Sequence, residues 1–266
     1  MATKKRLIFT LLYSDGYFCQ SRNFRCQKVG DYDWLFNNYK FSKIAGFLDE
    51  LIVINVNPVA ESYPSFLDIV KRIVENVFIP VAIGGGISSL EKAIDCFHNG
   101  ADKIVLNSAV RKNREIVSQI INCFGSQSVV ASVDYKLNNN KAWVYDWDKK
   151  KIIQGSDLIS YINLLHEIGF GEVLLNSVDK DGTGFGLDLD TISYISTECK
   201  LPLIVMGGAG KFKHFNQVYS NYAADAVATA NLLNFIGEAL PDVRLRLLNE
   251  GINLAHTRIV NETINR

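Results

Sequence analysis

The chain has 266 residues, 48% of them hydrophobic, and its 28 basic side chains balance 28 acidic ones. That apolar share excludes a disordered chain, and a net charge of zero gives no bulk attraction toward nucleic acid or a membrane surface. The five cysteines (Cys19, Cys26, Cys96, Cys123 and Cys199) are scattered, odd in number and never spaced C-x-x-C, which disfavours a disulfide framework or zinc site and fits a reducing cytoplasm.

The basic start, residues 1–6, leads into an apolar run that stops at Ser14-Asp15-Gly16. It is too short for a membrane span and reads as a first strand, residues 6–12, rather than as a signal peptide. An insertion over residues 14–30 follows. Strand 51–55 precedes a helix at 64–74, and strand 81–83 precedes one at 89–99, with Ser88 and Ser89 as start signals and Gly100 as a stop. Strand 103–106 leads to helix 113–123. After strand 129–134 comes a second insertion, 138–155, in which Trp143-Val144-Tyr145 and Ile152-Ile153 flank a turn as a hairpin. Helix 158–168, strand 172–176, helix 189–199 with Asp188 as its cap, strand 203–205, helix 213–222 and strand 224–228 complete the series.

Short runs of Val, Ile and Leu alternating with amphipathic segments are the pattern of a parallel sheet. The second half also repeats the first at a constant offset. Ile79-Pro80-Val81-Ala82-Ile83-Gly84-Gly85-Gly86 recurs 122 positions later as Leu201-Pro202-Leu203-Ile204-Val205-Met206-Gly207-Gly208. Eight units in about 250 residues predict a (β/α)8 TIM barrel rather than an open sheet. The expectation is one domain over 1–266, with half-barrels of about 1–122 and 123–250 and an extension at 251–266. The same offset sets Leu12 against Asp134, a leucine where symmetry permits a second carboxylate.

Two glycine-rich turns follow strands and enter helices, at Gly85-Gly86 and Gly207-Gly208. Each is followed one unit later by a polar turn, Asn107-Ser108 and Ala230-Asn231. Such turns form phosphate cradles from backbone N–H groups, or they merely close tight connections. Two cradles suggest a phosphorylated small molecule with a phosphate at each end. Asp134 ends its strand at the face where barrels keep active sites and is a general acid or base candidate, the alternative being a loop cap. The loop 179–186, with Asp181 and Gly182, either closes over the ligand or is a flexible turn. His98, His166, His214 and His256 show no ligand spacing, so no metal and no cofactor is expected. At the opposite end, Arg6, Glu50, Lys103 and Glu172 lie at or just before strands; four charges of balanced sign make either a solvated rim or a salt-bridged plug.

These motifs together carry a resemblance. Phe78-Ile79-Pro80 with the triple glycine, Gly100-Ala101-Asp102-Lys103, Asn107-Ser108-Ala109, Phe124-Gly125-Ser126-Gln127, Asp179-Lys180-Asp181-Gly182-Thr183 and Gly207-Gly208-Ala209-Gly210 are similar to the HisF family, cyclase subunits of imidazole glycerol phosphate synthase. The resemblance spans nearly the whole chain. It implies a barrel that takes ammonia from a HisH-like glutaminase at its bottom face, where Asp102 matches a contact position. It makes Arg6, Glu50, Lys103 and Glu172 an ionic gate, and it assigns phosphate binding to Gly85, Gly86, Asn107, Ser108, Asp181, Gly182, Gly207, Gly208, Ala230 and Asn231. The catalytic end departs from the family pattern: Asp134 matches one of two catalytic aspartates, and Leu12 replaces the other. Gln20 replaces a lysine, Asn55 an aspartate and Asn231 a serine.

A leucine cannot transfer a proton, and loss of a general acid costs about 10²–10⁴ in rate. Gate kept and acid lost resembles the HisF-like WbuZ type of surface-polysaccharide clusters. That implies ammonia channelling for amidation of a nucleotide sugar, with a sugar amidotransferase at the top of the barrel. An authentic cyclase of histidine biosynthesis, using Asp134 alone or with Asp181, is the second reading; a non-catalytic phosphate-binding scaffold is the third. The aromatic insertions (Tyr17-Phe18 with Phe24, and Trp143, Tyr145 and Trp147) are expected to be a docking surface or lids.

Overall fold

A computed structural model describes residues 4–38, 40–57, 62–230 and 239–255. The first half contains β1 (Arg6–Ser14), β2 (Tyr17–Arg22), β3 (Arg25–Gly30), α1 (Phe41–Ala45), β4 (Glu50–Asn55), α2 (Tyr63–Val74), β5 (Val81–Gly84), α3 (Leu90–His98), β6 (Lys103–Leu106), α4 (Ser108–Lys112) and α5 (Arg114–Phe124). The second contains β7 (Val129–Asn138), β8 (Lys141–Asp146), β9 (Lys151–Asp157), α6 (Leu158–Ile168), β10 (Glu172–Ser177), α7 (Leu189–Glu198), β11 (Leu203–Met206), α8 (Phe212–Asn221), β12 (Ala226–Thr229) and α9 (Ala239–Asn249).

Eight strands, β1, β4, β5, β6, β7, β10, β11 and β12, pair in parallel in that order, and β12 returns to β1 through Arg6 opposite Ala226. The sheet is therefore a closed (β/α)8 barrel, as the alternation and the repeat predict. Burial on both faces explains why the strands read as unbroken apolar runs. One layer of side chains, including Ile8, Ile52, Val105, Val130, Leu174 and Ile204, fills the barrel interior. The larger core packs the outward-facing residues against the helices, as with Leu7, Phe66, Val117 and Phe215. Helix starts are set by side-chain caps: Ser89 Oγ accepts from Lys92 N–H, Asn113 Oδ1 from Ile116 N–H and Asp157 Oδ1 from Ser160 N–H. Each satisfies an N–H that has no partner within its own helix.

Both insertions are antiparallel hairpins grown on barrel strands. β2 and β3 extend from β1, and β8 and β9 from β7. The sequence predicts the second and leaves the first unassigned, because β3 is exposed over most of its length and has no apolar alternation to find. Three further helices, α1, α4 and α9, lie outside the expected set. Two have only five residues, too short to show a period. In α9 the buried stripe includes Arg244, which disguises it.

The ends of the barrel are held differently. At the bottom, aspartates preceding strands accept an N–H from the start of a neighbouring strand: Asp49 from Leu7 and Asp102 from Val81 at 2.8 Å, and Asp225 from Leu203 at 2.9 Å. Arg244 of α9 is almost fully buried and grips Asp49 with two hydrogen bonds of 2.9 and 3.0 Å, fastening the last helix under the first strands.

Candidate functional site

The bottom of the barrel interior holds a closed ring of charge. Arg6 starts β1, Glu50 β4, Lys103 β6 and Glu172 β10, all on the inward parity of their strands, with the apolar layer directly above them. Arg6 Nη1 donates to Glu50 at 2.7 Å and Arg6 Nη2 to Glu172. Lys103 Nζ reaches Glu50 at 3.1 Å and Glu172 at 3.0 Å. The carboxylates are buried, with side-chain exposures of 3% and 8%, and the cations keep about a fifth of their surface. Burial pulls the Arg6 guanidinium down, but Glu172 first and then Glu50 outweigh it and hold it above the ordinary arginine value. Every charge thus meets two of opposite sign, the condition under which buried ions are tolerable.

At the other end a cavity of about 390 Å³ opens among the strand tips. Asp134, buried at an inward-facing position of β7, lines it with its carboxylate held between two side-chain amides: Asn107 Nδ2 donates to Oδ2 at 2.8 Å and Asn176 Nδ2 to Oδ1 at 3.2 Å. Burial pushes its carboxyl up to about 6; the hydrogen bonds from Asn107 and Asn176 and the charge of Arg111 offset only part of that. A group of that value exchanges a proton near neutrality, which suits acid–base work. Leu12 lines the same cavity, paired with Cys19 of β2.

Gly85, Gly86, Asn107 and Ser108 line this cavity together, so the structure brings these four residues to one place. Gly85 has a φ of +95°, and a Cβ there would lie 2.1 Å from the Asn55 carbonyl oxygen, so its absence of side chain is also demanded by packing. The second cradle differs. Asp181, Gly182, Gly207, Gly208 and Ala230 do converge, but on a hollow of about 20 Å³, room for roughly one water. The first hairpin presses on it: a Cβ at Gly182 would meet Ser21 backbone at 2.0 Å. Asn231 lies outside the described residues, as does His256.

Asp181 is engaged structurally. Its Oδ2 accepts from Ser21 Oγ at 2.5 Å and from Phe24 N–H at 2.9 Å, and burial raises its carboxyl above the ordinary value. The loop around it is tied down as well, since Asp179 Oδ2 accepts from Leu137 N–H and Gly186 N–H donates to the Gly208 carbonyl. It is an ordered corner rather than a flexible turn. Of the insertion aromatics, Phe18 is fully buried against Tyr13 and belongs to the core, not to a surface. Phe24 and Trp147 line the mouth cavity, and Phe24 meets Tyr145 edge-on at 6.2 Å, so the two hairpins touch beside the mouth.

Two site residues escape the sequence reading. Asn176 sits on the inward parity of β10, four residues beyond Glu172, and parity alone reveals it. Arg111, one helical turn beyond Asn107, donates to Asn107 Oδ1 at 3.0 Å and so turns that amide's NH₂ toward Asp134. The i,i+4 spacing is its only signal. Gln20 lies on β2 opposite Gln27, and Asn55, at the end of β4, accepts from Asn57 N–H. Asp102, directly before β6, is exposed on the bottom rim, and Phe78, three residues before β5, is 96% exposed. Among the described residues no three His, Cys, Asp or Glu side chains gather as a metal site, and no helix is long and apolar enough to cross a membrane.

Comparison with known proteins agrees with this geometry. Residues 37–238 match the histidine biosynthesis protein family. A candidate imidazole glycerol phosphate synthase subunit hisF2 of Parasynechococcus marenigrum is 40% identical over 238 residues, 90% of this chain and 88% of that one. The imidazole glycerol phosphate synthase subunit HisF of Prosthecochloris aestuarii is 34% identical over 93% of this chain and 97% of its own length, and that of Pyrobaculum aerophilum 36% over 77% and 81%. With a barrel, a mouth and relatives of this kind, the chain belongs to the histidine biosynthesis protein family, among its HisF-like members.

Proposed function

We propose that this chain is the barrel subunit of a glutamine amidotransferase complex, receiving ammonia from a HisH-like glutaminase at its bottom face and delivering it through the interior to the mouth. The observation that carries the reading is the neutral ring of Arg6, Glu50, Lys103 and Glu172 set directly below an apolar interior. Neutral ammonia crosses such a lining without the desolvation penalty that stops ammonium, and a ring whose charges are already paired offers it no trap. Exposed Phe78 supplies an apolar anchor on the rim that also carries Asp102. At the mouth, one carboxyl and a leucine stand where the family pattern has two aspartates, so cyclase chemistry is lost. The nitrogen then goes to a nucleotide sugar or related glycan precursor in the cytoplasm, with a sugar amidotransferase at the top.

The test is reconstitution with a HisH-like glutaminase. The pair co-purifies and glutamine hydrolysis is stimulated, and Lys103→Ala lowers glutamine-dependent nitrogen transfer while leaving transfer from added ammonia intact. Absence of binding, or unchanged transfer in Lys103→Ala, sinks the reading.

A second reading, a true cyclase, is favoured by the names of the relatives and by the near-neutral carboxyl of Asp134. An ammonia-dependent cyclase assay separates the two. We expect turnover reduced by about 10²–10⁴ against a two-aspartate enzyme, with partial recovery in Leu12→Asp. Full turnover in the unaltered chain makes it a cyclase.

A further inference from the structure

A second cavity lies outside the barrel mouth. A groove of about 910 Å³ runs along the second hairpin, bounded by β7, β8, β9 and the end of α4. Its walls carry Arg111, Lys112, Lys136, Lys149, Lys150 and Lys151. Asp148 takes Lys112 at 2.5 Å, and Asp146 lies 3.5 Å from Arg111 and 4.0 Å from Lys149. Among the described residues these two carboxylates account for the ion pairs of the groove, which leaves Lys136, Lys150 and Lys151 in surplus. Arg111 Nη2 is a buried donor without a hydrogen bond.

In a chain of zero net charge, such crowding of cations is an unfavourable arrangement that a bound anion relieves. The shape narrows the choice of anion. The volume falls within the range of small-ligand pockets, about 300–1,000 Å³, and the site is concave rather than a flat protein-facing patch. One phosphate would satisfy two or three of these cations; a diphosphate offers acceptor oxygens to more of them. The half-buried indole of Trp143 lines the same groove, with Lys141 Nζ 4.7 Å over its ring, and offers a planar stacking surface.

The groove adjoins the mouth. Lys112 lines both cavities, and Arg111 is two hydrogen bonds from the carboxyl of Asp134, through Asn107. We propose that this groove binds the nucleoside diphosphate half of a ligand whose attached group enters the barrel mouth beside Asp134. The site itself follows from the groove; only the attached group rests on the acceptor assigned under the proposed function.

Titration of the isolated chain with uridine diphosphate and with pyrophosphate, followed by tryptophan fluorescence and calorimetry, tests the site with no glutaminase or ammonia present. Failure here therefore leaves the ammonia route standing, and failure of the ammonia route leaves this binding result standing. The expected result is saturable binding of uridine diphosphate that weakens about tenfold or more in Lys136→Ala/Lys150→Ala/Lys151→Ala and loosens with added salt. Trp143→Ala weakens uridine diphosphate about fivefold or more and leaves pyrophosphate unchanged. The altered side chains are peripheral, and far-UV circular dichroism checks that the variants are folded. Absence of saturation, equal affinity in the triple variant, or binding of poly-glutamate in place of the nucleotide overturns the proposal; the last assigns the groove to an acidic protein segment.

Discussion

Asp134 and Leu12 occupy one position in the two halves of the repeat, and they divide the chemistry of the mouth between them. Asp134 was legible from sequence because it closes the apolar run 129–134, although β7 continues past it to Asn138 as the root of the second hairpin; its environment was not, since the amides that hold it come from Asn107, just after β6, and Asn176 on β10. That environment sets a pH dependence. The carboxyl stands at about 6 in the folded chain against an ordinary value of 3.8, so the native state binds this proton more tightly than the unfolded state does. Stability therefore falls as pH rises through the window from about 4 to about 6, and above it the buried charge is a constant cost. Two units correspond to a ceiling of about 3 kcal/mol. Asp134→Asn should thus be the more stable protein at pH 7.5, by about 1–3 kcal/mol, with the advantage gone near pH 4, while any acid–base activity is lost. The Asn176 carbonyl Oδ1, buried without a partner, is available to the new amide. Urea unfolding of both proteins across that pH range checks it; a variant less stable at pH 7.5 would show that the amide contacts outweigh desolvation.

Among the elements, those whose burial is periodic were legible and those held by particular polar contacts were not. All eight barrel strands follow from short apolar runs, because a strand covered on both faces has no other way to read. The hairpin of β2 and β3 is fixed instead by Ser21 Oγ and Phe24 N–H donating to Asp181, and by Asn23 N–H donating to its backbone carbonyl, contacts across some 160 positions that no local pattern announces. Helix α9 is the clearest case. Arg244 looks like a solvent residue in sequence, yet it is 1% exposed, pairs with Asp49 and also donates to the Phe47 carbonyl. Asp49 in turn holds the first N–H of the apolar stretch of β1. Removing the guanidinium leaves that carboxylate buried and unpaired, which typically costs about 3–5 kcal/mol. Arg244→Met should therefore destabilise by that order and loosen α9 first, visible as early hydrogen exchange over 239–249; Arg246→Met, whose partner Asp242 is exposed, should cost under about 1 kcal/mol.

At the scale of the molecule, the repeat is obeyed by some charges and broken by others. Glu50 and Glu172 are symmetry mates, 122 positions apart, whereas the two cations that bind them, Arg6 and Lys103, both belong to the first half. Glu172 is thus the one ring member contributed by the second half, and its contacts with Arg6 and Lys103 join the halves across the bottom of the interior. The sequence placed all four residues at or just before strand starts, with a solvated rim as the default reading and a salt-bridged plug as the alternative, because only closure of the sheet decides whether the side chains converge. The ring contains four attractive contacts and two repulsive pairings, carboxylate with carboxylate and cation with cation. Glu50→Gln removes two attractions but also relieves the repulsion between the glutamates, and so does Glu172→Gln. In the double variant that relief is gained only once, while two cations remain together with no counter-charge. The combined loss of stability should exceed the sum of the single losses by about 0.5–3 kcal/mol, the range for directly coupled residues. Chemical denaturation of the four proteins in a double-mutant cycle measures this excess. Simple additivity would mean that the cations turn outward to solvent once either glutamate is lost, and that the ring is held by its individual pairs rather than as a unit.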